Sequence, residues 1–207
     1  EADIETTAEI QRAIGGRAAM RIDANRAYSR EDGCRYASSL DPAGIELFEQ
    51  PCDADDWDAN AAVAAVSSVP LMLDEPICSL GDIERAGPIE GVGLCKLKLK
   101  RFGGLDLLHA ALLRVRELGM EPVLGDGLGG ELSCWMEACV ARTTIRNTGE
   151  FNGYLKPVDR LLANPLPFDA GCLVLAAGYR PEMDRARLKA HTLQSERLAP
   201  SSAAATR

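Results

Sequence analysis

Histidine, aromatic side chains and long apolar runs are all scarce in this chain of 207 residues. Its two histidines, His109 and His191, lie in an apolar helical pattern and near the C-terminal tail. Neither suits a His-rich zinc hydrolase site. No run approaches the roughly 18 apolar residues that span a bilayer, and Glu1-Ala2-Asp3-Ile4-Glu5 lacks the basic and apolar regions of a signal peptide. No membrane partner is expected, and a cytoplasmic location follows by default. Basic residues are also in deficit, 23 Lys and Arg against 31 Asp and Glu, for a formal net charge of −8. Holding a nucleic acid takes clustered cations, so that class of partner is not expected either. The seven cysteines (34, 52, 78, 95, 134, 139 and 172) contain no CxxC pair and are odd in number. That opposes a disulfide framework or zinc cluster, and most read as buried small hydrophobes.

What the chain does have is a repeating order. With 46% hydrophobic and 26% charged residues, it can bury a globular core. A helical pattern (Ile4, Ile10, Ile14) ends at Gly15-Gly16. Strands are predicted at 18–23, 44–49, 70–74, 92–99, 121–124 and near 147–151. Helices are predicted between them at 30–41, 57–67, 80–86, 105–118 and 132–145. Alternation of this kind predicts an α/β fold with a parallel sheet covered on both faces. About six of the eight βα units of a TIM-type (β/α) barrel are visible, so the barrel is expected to be truncated at its N-terminal side. Residues 1–165 form the expected partial barrel, 166–192 a segment packing outside it, and 193–207 a mobile tail.

Four charged residues end four successive apolar runs: Asp23, Glu49, Asp74 and Lys98, spaced 26, 25 and 24 residues apart. A repeat of about 25 residues is one strand plus one helix, and barrel active-site groups project from C-terminal strand ends. Each carboxylate alone is open to a simpler reading as a turn or cap residue. Three at one phase of a regular repeat point to oxygen ligands for a hard cation, Mg²⁺ first and Mn²⁺ next. Of the adjacent pair Asp74-Glu75, only one can face the barrel axis. In Cys95-Lys96-Leu97-Lys98-Leu99-Lys100 the lysines alternate with mostly apolar residues. If they face inward, Lys98 lies near the metal, Lys96 one layer deeper and Lys100 at or beyond the mouth. A lysine beside a divalent cation suits general-base work. The glycine-rich turn 125–130 is either an anion-facing helix start or a plain tight turn. Asp126 and Glu150, at later strand ends, are candidates for substrate contact or solvated loop carboxylates.

Asp23-Ala24-Asn25, Glu49-Gln50-Pro51, Asp74-Glu75 and Lys98-Leu99-Lys100-Arg101-Phe102-Gly103-Gly104 appear in an order that resembles the enolase superfamily. Within it the likeness is to the mandelate racemase/muconate lactonizing enzyme group, muconate lactonizing enzyme subgroup. The resemblance implies an enolase-like C-terminal barrel domain in which Asp23, Glu49 and Asp74 bind Mg²⁺ and Lys98 is the acid/base. The lysine five residues before Gly103-Gly104 is the family position, which selects Lys98 over Lys96 and Lys100. Asn25, Glu75, Asp126 and Glu150 are expected to touch the substrate or to support the ligands. Residues 121–131 contain no histidine, which favours the lysine–lysine subgroup over the lysine–histidine one. The family's Lys-x-Lys strand and capping domain would lie upstream of Glu1.

The implied chemistry is abstraction of a proton α to a carboxylate through an enediolate, by a racemase, epimerase, cycloisomerase or dehydratase acting on a small carboxylate. The longer parent is expected to be a homo-oligomer. A Schiff-base aldolase using Lys98 and an inactive, binding-only chain are the alternatives.

Overall fold

The structure is a computed structural model that describes residues 1–196; the part of the expected tail from 197 to 207 lies outside the described residues. Its elements run α1 (Ala2–Ile14), β1 (Met20–Asp23), α2 (Arg30–Ser39), β2 (Ile45–Glu49), α3 (Trp57–Val66), β3 (Leu71–Leu73) and α4 (Leu80–Ala86). Next come β4 (Val92–Leu97), α5 (Leu99–Phe102), α6 (Leu105–Glu117), β5 (Glu121–Leu124) and α7 (Glu131–Thr144). A short hairpin, β6 (Phe168–Asp169) and β7 (Cys172–Leu173), and α8 (Arg185–His191) follow among the described residues.

The five long strands form one all-parallel sheet in sequence order, β1-β2-β3-β4-β5. Side-chain alternation explains why such apolar strands are stable with helices on one side only of each. Phe48, Leu71, Leu73, Cys95, Leu97 and Leu124 pack toward the helices in the main core. Leu47, Met72 and Val123 pack on the opposite side with Leu94, forming a small apolar floor inside the curl of the sheet. The curl carries the later chain back toward β1, where Arg21 pairs with Glu46 at 2.7 Å and donates to the Thr148 carbonyl at 2.8 Å. The molecule is thus a curled half-barrel.

Helix starts follow their local chemistry. Ser29, Asp56 and Ser79 accept from the backbone N–H three residues on, at Asp32, Ala59 and Asp82, as N-caps do. Helix α2 stops at Ser39 rather than at 41, because Leu40 is extended and Pro42 follows. Two strands differ from expectation. Strand β4 ends at Leu97, and Leu99–Phe102 coils into a helical turn closed by Gly103, whose φ is 74° and whose N–H reaches the Leu99 carbonyl at 2.9 Å. The sixth strand shrinks to one parallel bridge, Gly125 with Glu150, supported by Glu150 N to Leu124 O at 3.0 Å. The cysteines are all free, but only Cys52, Cys95 and Cys134 are buried; Cys78, Cys139 and Cys172 are exposed. Most of them are therefore not core residues.

After α7 the chain is held by Glu131, whose buried carboxylate accepts from Leu162 N at 3.3 Å and Leu166 N at 2.9 Å. Cys134, Tyr154 and Leu166 form a small separate cluster there. No helix among the described residues is long and apolar enough to cross a membrane.

Candidate active site

The four charged residues of the repeat stand at the C-terminal ends of four consecutive parallel strands: Asp23 ends β1, Glu49 ends β2, Asp74 follows β3 and Lys98 follows β4. Asp23 and Glu49 are register partners. Asp23 is exposed and is held by its neighbour two residues on. Asn25 donates its backbone N–H to Oδ1 at 2.8 Å and its Nδ2 to Oδ2 at 2.9 Å. Asn25 (φ 46°), Arg26 (φ 65°) and Gln50 (φ 36°) all take left-handed backbone conformations. Such strain tends to collect at functional sites. Gln50 is fully buried and ties the strand ends together, accepting from Asp74 N at 2.9 Å and donating to the Cys52 carbonyl at 3.0 Å.

Asp74, which is buried, accepts from Lys98 Nζ at 2.6 Å and from Arg101 Nη1 at 2.8 Å. Burial alone would push its carboxyl up. The hydrogen bonds and charges of Lys98 and Arg101 outweigh that and hold it below the usual carboxylate range. Glu75 turns the other way and pairs with Arg26 at 3.3 Å, so Asp74 is the member of the pair that faces the interior. Glu49 is 3% exposed and faces Lys96, with Nζ 2.7 Å from Oε1 and 2.9 Å from Oε2. Burial pushes the Glu49 carboxyl up, Lys96 pulls it back, and Asp23 and Asp74 add to the rise. All three carboxylates therefore share one electrostatic neighbourhood. Lys96 also contacts Glu150 at 2.9 Å, which brings that later residue into the same network.

One expected site residue is tied to backbone. Asp126 accepts from backbone with both oxygens, Oδ1 from Leu128 N and Oδ2 from Gly153 N, each at 2.7 Å. It fastens the glycine-rich turn to the segment after Glu150. Lys100 sits on α5 rather than on the strand and reaches the Gly127 carbonyl at 3.5 Å.

Arg101 and Glu137 did not stand out in the sequence. Glu137 is 2% exposed; its Oε1 accepts from Leu99 N at 3.1 Å, while its Oε2 is buried without a hydrogen-bond partner. Burial pushes this carboxyl up to about 7. Helical spacing held the clue, since 137 follows buried Cys134 by three and precedes buried Ala141 by four. Cavities of about 620 Å³ at the sheet floor and 540 Å³ beside α7 are lined by none of the four repeat residues.

The donor set is oxygen-only, which suits a hard divalent cation. Among the described residues, no three acidic, histidine or cysteine side chains already stand close enough to hold one. Asp74 leans onto Lys98 and Arg101, and Glu49 onto Lys96. In donor type and strand position the three carboxylates fit a dication, and the clustered ammonium and guanidinium groups mark where positive charge is required. Glu49 Oε1 is buried without a hydrogen-bond partner, though Lys96 is in ion-pair contact.

Residues 1–181 match the family described as enolase C-terminal domain-like, and the chain belongs to that family. Among curated proteins it is 27% identical over 191 residues to muconate cycloisomerase 1 of Acinetobacter baylyi, covering 90% of this chain and 52% of that protein. It is 32% identical over 133 residues to L-Ala-D/L-Glu epimerase of Clostridium acetobutylicum, covering 63% and 37%. The crystal structure of muconate lactonizing enzyme from Klebsiella pneumoniae superposes with a TM-score of 0.83 at 25% identity, over 93% of this chain and 55% of that one. The chain thus spans about half, or less, of the length of these relatives.

Proposed function

We propose that the chain forms the metal-binding and base-bearing part of an enzyme that removes the proton α to a carboxylate, with Lys98 as the base and Asp23, Glu49 and Asp74 as the metal ligands. The observation that carries this reading is the placement of these four residues at the ends of β1, β2, β3 and β4. The similarity to a cycloisomerase and an epimerase supports it. The reaction is a racemisation, epimerisation, cycloisomerisation or dehydration of a small carboxylate.

An α-proton beside a carboxylate is very weakly acidic, so the site must stabilise the enediolate while a base takes the proton. A divalent cation, Mg²⁺ or Mn²⁺, held by Asp23, Glu49 and Asp74 would supply Lewis-acid stabilisation of the negative charge that develops on the substrate. The chain's own groups do the rest. Asn25 orients Asp23, Gln50 fixes the Asp74 backbone, and Glu75 with Arg26 braces the turn after β1 at the mouth. Lys98 Nζ takes the proton from the substrate Cα, and inversion at that carbon would need a second acid to protonate the opposite face. Asp74 and Lys98 lie in contact, so the base stands beside the metal ligands, where the acidified Cα must sit.

Small carboxylates, including dipeptides, incubated with the metal-loaded protein in D₂O should gain deuterium at Cα. Chelation should stop the incorporation and added Mg²⁺ restore it. Exchange that persists in excess chelator contradicts the metal assignment.

A further inference from the structure

Lys96 is the buried cation that the proposed chemistry leaves unused. Its side chain is 4% exposed and lies between Glu49 (4% exposed) and the more open Glu150, with Nζ 2.7 Å from a Glu49 oxygen and 2.9 Å from a Glu150 oxygen. The backbone makes room for it, because a Cβ at Gly125 would come 3.1 Å from Lys96 Cδ. An ammonium is costly to bury, and it is tolerated where carboxylates surround it. Lys96 is on β4, Glu49 on β2, and Glu150 at the bridge beyond β5, so the ion pairs cross the inside of the curl.

Resting on the metal reading above, we propose that Lys96 is a resident counter-ion of the metal site, whose ammonium competes with the divalent cation for Glu49 and thereby weakens metal binding. The hold covers both Glu49 oxygens, so a metal ligand and an ion-pair partner are the same carboxylate. Removing the ammonium leaves Glu49 and Glu150 with no other ion-pair partner among the described residues, and the dication then becomes their counter-charge. A purely structural tie across the curl makes the opposite forecast. Its loss would free Glu49 to turn away, lowering stability and leaving metal affinity unchanged or poorer.

Mn²⁺ titration, followed by the electron paramagnetic resonance signal of free Mn²⁺, separates the two in the protein that carries this chain. Lys96→Met should bind Mn²⁺ about tenfold or more tightly than wild type, whereas Lys96→Arg, which keeps the charge, should match wild type. Equal or weaker binding by Lys96→Met overturns the proposal while leaving the metal reading intact. If Lys96→Met does not fold, Lys96→Gln keeps an amide donor to Glu49 and is judged by the same comparison. Binding by the neutral variant alone supports the competition. Absence of binding in wild type and both neutral variants defeats the metal reading, and this proposal with it.

Discussion

Glu137 shows how a single buried carboxyl links the site to stability. Its ordinary value is 4.5, and burial raises it to about 7 in the folded chain. Between those values the folded state keeps a proton that the unfolded state has released. Stability from this group is therefore fully present below about 4.5 and is lost as pH rises through 7. Glu137→Gln should flatten that decline, by on the order of 2–3 kcal/mol between pH 4.5 and 8, in urea melts across that range. An unchanged pH profile would show that Glu137 is not the group responsible. The neighbouring Arg101 and Asp126 show why residue roles were only partly legible in the sequence. The motif Lys98 to Gly104 gave no sign that Arg101 turns back onto Asp74, because that contact depends on the helical turn α5. Asp126 stood at a strand end like the others, yet a backbone N–H from Gly153, 27 residues away, claims one of its oxygens. Strand-end position was visible; the distant partner was not.

At the scale of elements, the regular 25-residue spacing was readable because each strand is a short, largely apolar run and each of α2, α3 and α4 begins at a side-chain cap. Strand β4 was overextended by its Lys-x-Lys alternation, which continues into α5. The alternation was a correct sign for Lys96, which faces inward, and misleading for Lys100, which rides on the turn. The sixth strand failed as an extended element because only Gly125 and Glu150 pair. Helix α7 anchors the later segment 162–166 through one buried side chain. Glu131→Ala should strip hydrogen-exchange protection from the Leu162 and Leu166 amides and cost about 1–3 kcal/mol. Retained protection at both amides would refute that role. Gly91 is a second local constraint, because its φ is 85° and an added Cβ would strike the Ala64 carbonyl at the end of α3. Gly91→Ala is expected to lower the thermal midpoint by several degrees through that clash and the strained backbone. An unchanged melt would count against it.

For the molecule as a whole, the sheet is curled but not closed. Among the described residues, strand β1 pairs only with β2, and the far side ends in a single bridge at Glu150. Unpaired strand edges recruit other strands. The 207-residue chain prepared alone should associate or unfold readily, and light scattering after gel filtration should show species larger than a monomer; a stable monodisperse monomer would contradict this. The same open geometry leaves Asp23 exposed while Glu49 and Asp74 are buried.

The assignment of Lys98 as the base at the strand ends is central, and deuterium incorporation at the substrate Cα in D₂O measures it most directly. Compared with the wild-type metal-loaded protein, Lys98→Ala should lose at least about 100-fold in exchange rate while its Mn²⁺ binding persists. Exchange at the wild-type rate in Lys98→Ala would contradict the account.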